Sequence, residues 1–200
     1  MAKGDVFLRL ENVSKTFPGV NALSGVSFDV RRGEVHALIG ENGAGKSTLI
    51  KVLTGVYQPD PGAVIEVEGR RMENMTALDA MRSGIIAIYQ DFSLFPTLSV
   101  KENIAFVEQI EKRNRLVDWR AMERTASEAL ESLGVSIDLR ARASTLSTAK
   151  QQLVAIARAL VYDAKLLVMD EPTSALSSGE VDALFKIVRK LRDRGMAIIF

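Results

Sequence analysis

The run Gly40-Glu41-Asn42-Gly43-Ala44-Gly45-Lys46-Ser47 fits the pattern G-x-x-x-x-G-K-[ST], and each position has a chemical reason. A triphosphate presents crowded oxygens that need many donors at once. Gly40, Gly43 and Gly45 carry no side chain, so the backbone N–H groups of this loop, those of Asn42 and Ala44 included, can approach such oxygens closely. A helix opening where the loop ends adds the positive end of its dipole. Lys46 reaches β- and γ-phosphates as a mobile point charge. The Ser47 hydroxyl is a ligand for Mg²⁺, and Thr48 can bond a further phosphate oxygen. Far downstream, Leu166-Leu167-Val168-Met169-Asp170-Glu171 is an apolar run that ends in two acids. Asp170, at a strand end, can hold Mg²⁺ directly or through water. Glu171 points the other way if strand geometry persists, and can orient or deprotonate an attacking water. Taken alone, Asp-Glu-Pro is also an ordinary solvated loop; a phosphate loop upstream tips the balance to chemistry.

These groups need elements to hold them, and the chain alternates strand-like and helix-like segments, the pattern of an α/β domain. Residues 7–10 and 26–30 alternate apolar and polar, as half-buried antiparallel strands do, with a turn at Phe17-Pro18-Gly19. Glu34 to Ile39 reads as a short strand running into the glycine loop, and Ser47 to Leu53 as the helix after it. Further strands are expected at Ala63 to Val67, Ile85 to Tyr89, Leu166 to Met169 and from Met196. From 91 to about 160 the pattern is helical. Asp118 is placed to N-cap a helix with Met122, Ala126, Ala129, Leu130 and Leu133 on one face, ended by Gly134. A second helix runs from about Thr148 to Leu160. Ser177 and Glu180 have capping-box spacing, ahead of a helix carrying Val181, Leu184, Val188 and Leu191 and ended by Gly195. The lone histidine, His36, lies mid-strand and reads as structural.

Composition removes other chemistries. Apolar residues are 47% and charged residues 26% of 200, proportions of a folded globular chain rather than a mostly disordered one. Net charge is +1, and no basic stripe is present, so binding to nucleic acid is not expected. There is no cysteine, which excludes disulfides, thiolate metal sites and cysteine nucleophiles. The longest apolar runs cover about five residues where a membrane span takes roughly 20. The N-terminal MAKGDVFLRL is too polar for a signal peptide.

Two more features complete an ordered set: Gln90 after a buried strand, in IYQDFSLFPTLSVKENI, and Leu146-Ser147-Thr148-Ala149-Lys150 opening a helix before Asp170. In this order the motifs resemble the ATP-binding subunit of ABC transporters across essentially the whole chain. The resemblance implies a P-loop NTPase of the α/β class. Its RecA-like core with an antiparallel β-subdomain would cover 1–90 and 161–200, and an inserted α-helical subdomain 91–160. It implies ATP and Mg²⁺ as ligands. Residues 40–48 take the place of the Walker A loop, Ser147 to Lys150 of the signature, Asp170 of the Walker B aspartate, Glu171 of the catalytic glutamate, and Ser174 to Ser177 of the D-loop. Gln90 takes the place of the glutamine that contacts Mg²⁺ and water and senses the transmembrane subunit. Phe17 takes that of the aromatic that stacks on adenine, although beside Pro18 it also reads as a turn aromatic covering the sheet. Ser147 fits both a helix cap and a γ-phosphate contact to a facing subunit.

Three departures stand out. The signature usually reads Leu-Ser-Gly-Gly-Gln; Ala149 replaces its second glycine, tolerable at negative φ and costly at positive φ. Ser177 stands where the D-loop usually has Asp. The family's histidine after the next strand would fall beyond Phe200. The stretches Leu116-Val117-Asp118-Trp119-Arg120, Leu146 to Leu160 and Ala175 to Phe185 are similar to the N-terminal ATPase half of bacterial sugar importers of the ribose, galactose and xylose type. There the signature glycine varies and the D-loop aspartate is often absent. The resemblance then implies that this chain is a piece of the first of two ATPase halves, lying peripherally at the cytoplasmic face of the membrane. Its partners would be transmembrane permease subunits, a second ATPase half or a homodimer partner, and, indirectly, a periplasmic sugar-binding protein. Two alternatives stay open at this point: a nucleotide-binding module with little turnover, and a soluble ABC-type ATPase acting on nucleic acid.

Overall fold

The computed structural model describes residues 5–111 and 117–200. Residues 1–4 of the N-terminal stretch and Leu116 of the sugar-importer stretch lie outside them. The chain packs into two compact units. One comprises Met1–Ala87, Lys165–Asp170 and Leu191–Phe200; the other comprises Ile88–Ala164 and Glu171–Lys190. The second unit thus takes in residues 171–190 beside the helical stretch, whereas the motif order places 161–200 in the core.

The first unit holds two four-stranded sheets. In one, β1 (Val6–Phe17) pairs antiparallel with β2 (Val20–Arg31) and β4 (Val64–Val67), and β4 pairs with β5 (Arg70–Arg71). The other has the order β3 (Val35–His36), β8 (Ala197–Ile199), β7 (Leu166–Met169), β6 (Ile85–Ile88). There β8 lies parallel to both β3 and β7. Every residue of β7 and β8 is buried, which is why both read as unbroken apolar runs. Helix α1 (Lys46–Leu53) buries Leu49, Ile50, Val52 and Leu53, and α2 (Ala77–Arg82) begins in a complete capping box of Thr76 and Asp79. Full burial of side chains of this size is worth about 1.5–3 kcal/mol each.

The second unit is built on α3 (Val100–Glu111), α4 (Trp119–Leu133), α5 (Thr148–Val161) and most of α6 (Ser178–Asp193). In α4 the expected cap, face and stop all occur. The Asp118 carboxylate accepts the Ala121 N–H at 2.9 Å, Met122, Ala126, Ala129, Leu130 and Leu133 are buried, and Gly134 closes the helix at φ 80°. Helix α5 buries Gln152, Val154, Ala155, Ile156, Ala157 and Ala159, a spread wider than the single stripe of a surface helix.

Two expectations about strands need correction. β1 and β2 have 12 residues each, far longer than the alternating stretches 7–10 and 26–30. Register shifts between Leu10 and Val13 and on to Thr16 break the period of two, and Asn12 there takes φ 52°, so alternation stops signalling a strand that in fact continues. The strand expected over 34–39 is regular only at Val35–His36. β3 has a single neighbour, β8, whose register with it covers two residues. Past these, the ladder continues irregularly through Leu38 N–H to Phe200 O at 2.7 Å.

Gly55 closes α1 at φ 68°, and a Cβ there would overlap the Thr76 carbonyl and stand 2.8 Å from the Ala77 nitrogen. Gly55→Ala is therefore expected to destabilise by about 2 kcal/mol or more, read from the urea midpoint. In the second unit Ser99 and Glu102 cap α3 reciprocally: the Glu102 carboxylate accepts the Ser99 N–H at 2.7 Å, and Ser99 Oγ accepts the Glu102 N–H at 3.4 Å. Hydrogen bonds from the Ser99 hydroxyl and then its N–H hold the Glu102 pKa below its ordinary value of 4.5. This stabilisation is present above pH 4.5 and is lost as pH falls through the folded value. Ser99→Ala should lower stability by roughly 1 kcal/mol at neutral pH, and the gap between variant and parent should close in acid, measured by urea midpoints across that range.

Candidate functional site

The glycine loop bridges β3 and α1, and its shape is fixed by what glycine alone permits. Gly45 is the N-cap of α1 at φ 88°, and no side chain caps that helix. A Cβ on Gly45 would run into the Ala22 carbonyl oxygen and lie 3.0 Å from Leu23 Cδ2. The loop therefore rests directly on β2. Gly43 has φ 87° and open space where a Cβ would be, so its backbone is not covered there. Within it Ala44 N–H donates to Glu41 O at 3.1 Å, and Asn42 is exposed. The first intrahelical bond runs from Leu49 N–H to Gly45 O at 2.9 Å. The amides of Lys46, Ser47 and Thr48 precede it, and helix geometry gives them no partner within the helix. This is a cradle of donors for an anion.

Two side chains stand over that cradle. Lys46 Nζ donates to Gly40 O at 2.6 Å and Glu41 O at 3.0 Å, folding its charge across the loop. Ser47 Oγ donates to Asp170 Oδ2 at 3.1 Å. Asp170 directly follows buried β7, so the sheet carries it to a residue 123 positions away in sequence. A hydroxyl and a carboxylate are hard oxygen donors. Mg²⁺ takes one or two such protein ligands and fills its octahedron from water and phosphate, so the pair fits it. Among the described residues no cluster of three or more His, Cys, Asp or Glu offers a cage for a softer or larger ion.

Phe17, the last residue of β1, packs edge-on against Tyr57, with ring centroids 5.3 Å apart and planes at 72°. The Lys15 ammonium lies 5.4 Å from the Phe17 centroid and that of Lys51 5.4 Å from the Tyr57 centroid. Sequence reasoning did not single out Tyr57; its only signal is an aromatic a few residues past the end of α1. His36 stacks on Phe28 at 4.8 Å, with Nδ1 3.1 Å from Glu34 Oε1, in keeping with a structural residue.

Gln90, Ser147, Ala149 and Glu171 belong to the second unit. Ser147 Oγ accepts the Lys150 N–H at 3.4 Å and so caps α5. Ala149 is the second residue of that helix, where φ is negative, so the methyl that replaces the usual glycine hydrogen brings no backbone strain. Glu171 corrects the expectation drawn from strand alternation. β7 ends at Met169, and Glu171 has φ 48°, a left-handed conformation in which the alternation rule no longer applies. Ser174 fixes that turn, donating both its N–H (3.3 Å) and its hydroxyl (3.1 Å) to Glu171 O. At the head of α6 the Glu180 carboxylate accepts the Ser177 N–H at 2.9 Å, while the Ser177 hydroxyl donates to it at 2.7 Å. Those bonds, the N–H first, lower the Glu180 pKa. Gln90 lies in a turn closed by Phe92 N–H to Tyr89 O at 2.8 Å. Sequence reasoning also gave no role to Asn103, 3% exposed, whose side chain bonds the backbone of this region at Phe95, Leu98 and Ser99.

Comparison with known proteins bears on the family and the fold. The family profile described as ABC transporter matches residues 23–174. A ribose import ATP-binding protein of Streptomyces avermitilis, RbsA 1, is 52% identical over 200 residues, which is all of this chain and 38% of that protein. The protein of the same name in Rubrobacter xylanophilus is 51% identical over 96% of this chain and 38% of its own length. The chain thus spans well under half the length of these relatives. Among solved structures, the ADP conformation of MJ1267, an ATP-binding cassette of an ABC transporter, superposes with a TM-score of 0.84 at 30% identity, covering 98% of this chain and 80% of that one. With its phosphate loop, its Ser47–Asp170 pair and a family match over most of its length, the chain belongs to the ABC transporter family and has the fold of its ATP-binding cassette.

Proposed function

We propose that this chain binds and hydrolyses ATP to drive sugar import through a membrane permease. The observation that carries the reading is the meeting of Ser47 Oγ and Asp170 Oδ2 at 3.1 Å beside a glycine cradle that also holds Lys46. The sugar side of the reading is supported by relatives that carry the name ribose import ATP-binding protein.

Each residue then has a task. The open amides of the loop and of the start of α1 receive phosphate oxygens. Lys46 swings its ammonium from the loop carbonyls to the β- and γ-phosphates. Ser47 and Asp170 hold Mg²⁺, which when bound neutralises phosphate charge. Phe17, steadied by Tyr57, stacks on adenine. Glu171 takes a proton from the attacking water and Gln90 orients that water; for these two the support is motif order, not distance. Ser147 and the α5 N-terminus, with Ala149 in its first turn, face the γ-phosphate of a second ATPase half or an identical partner. Charge that develops on the transferring phosphoryl group is met by donors already in place. Among the described residues no helix is long and apolar enough to cross a membrane. The proposal places the chain at the cytoplasmic face, against transmembrane permease subunits, with a periplasmic sugar-binding protein acting on their far side.

Two substitutions in the full-length protein test these roles. Glu171→Gln should retain ATP while phosphate release falls by about a hundredfold or more, and undiminished release would remove Glu171 from its role. Phe17→Ala should weaken ATP binding about tenfold, as loss of one stacked base does, and leave the affinity for inorganic tripolyphosphate unchanged, both measured by calorimetry.

A further inference from the structure

The backbone just after Gln90 is held against its own preference. Phe92 and Ser93 have φ of 56° and 46°, a region that costs an L-residue roughly 1 kcal/mol or more. Ser93 has a local reason, because Asp91 Oδ1 accepts both its N–H and its hydroxyl at 3.2 Å, an Asx-type turn. Phe92 has none, since its side chain offers no hydrogen bond. Two consecutive residues in this region persist only where surrounding groups over-determine them.

Those groups come from two helices of the same unit. Arg158 of α5 donates Nη1–H to Ser93 O at 2.8 Å and Nη2–H to Phe92 O at 3.0 Å. Asn103 of α3 grips the far end, accepting the Phe95 N–H at 2.8 Å and donating to Phe95 O at 3.1 Å. A guanidinium presents parallel donors in a rigid fork, so it can hold two successive carbonyls at once; an ammonium cannot reproduce that constraint. Arg158 is half-buried, and burial lowers its pKa, a cost that a surface arginine would not bear. The carbonyl of Phe92 is gripped by Arg158 while the N–H of the same residue closes the turn on Tyr89. Gln90 and Asp91 are the two central residues of that turn. The fork is therefore two residues from Gln90 and linked to it by a closed hydrogen-bonded ring.

We infer that Arg158 is the positioning residue for Gln90, fixing the turn at 89–92 through its fork on the Phe92 and Ser93 carbonyls. The inference rests on the role proposed above for Gln90. It also means that the helix opening at Ser147 sets the geometry of the turn that carries Gln90.

A double-mutant cycle in the full-length protein tests it. Arg158→Ala should lower kcat for ATP on the order of tenfold, with the Kd for Mg-ATP within about twofold of the parent, because the turn loses its orientation and not its ligand contacts. Arg158→Lys, which keeps the charge and loses the fork, should fall between the two. In a Gln90→Ala background the same Arg158 substitution should cost nothing further in kcat, since both act through one group. The inference is overturned if Arg158→Ala leaves kcat unchanged, if the two losses multiply in the double variant, or if Arg158→Lys matches the parent. If Gln90→Ala alone leaves kcat unchanged, it is the role of Gln90 that fails, and the inference falls with it. Thermal unfolding of each variant identifies a fold defect, and should Arg158→Ala melt below the assay temperature, the same cycle is read with Arg158→Lys.

Discussion

One hydroxyl–carboxylate contact organises the first unit: Ser47 Oγ to Asp170 Oδ2, across 123 residues of sequence. It exists because β7 lies inside its sheet, flanked by β8 and β6, with every residue buried. Burial fixes the strand, and the strand fixes where its first following polar residue emerges. On the other side, Gly45 lets the loop rest on the Ala22 carbonyl, which sets where α1 begins and hence where Ser47 stands. Neither half tolerates much slack. A Cβ at Gly45 or a shift of β7 by one residue would separate the two oxygens, and with them the meeting of hard ligands and open amides.

How much of this could be read from residues alone depended on whether the signal was local. The phosphate loop, the cap and stop of α4, and the unbroken strands β7 and β8 are written in adjacent residues or in a single period, and they stand where the pattern puts them. β1 and β2 were harder, because bulges near Asn12 interrupt the period while the pairing goes on. The conformation of Glu171 was invisible for a different reason: nothing in Met-Asp-Glu-Pro announces a positive φ, which is set by the turn with Ser174. Tyr57 and Arg158 lay beyond reach because each acts through a partner far off in sequence, Phe17 and the 92–93 carbonyls, and Asn103 because it grips the backbone of an irregular segment, at Phe95, that no periodicity marks. A polar residue on a helix announces only that it is polar; what it holds is tertiary information.

The second unit shows a different economy from the first. Its helices pack through small and aliphatic residues, yet the segment 89–95 makes little regular secondary structure and is held by side chains: an aspartate, an asparagine and an arginine, each bonded to backbone. Such a framework is specific rather than strong. A neutral hydrogen bond such as those of Asn103 nets about 1 kcal/mol and one to a charged group such as Asp91 or Arg158 roughly 1.5–3 kcal/mol, but losing one leaves a carbonyl or amide without its partner, and that asymmetry makes a single geometry prevail.

Trp119 opens α4, is the chain's single tryptophan, and is about half exposed at 52%. The Lys101 ammonium of α3 stands 6.0 Å from its ring. The consequence is optical. All indole emission from this chain arises at one spot in the helical unit, beside a charge carried on a neighbouring helix. A displacement of α3 against α4 changes the field on that indole and so its colour and yield. This chain therefore carries an unlabelled gauge of motion within its helical unit.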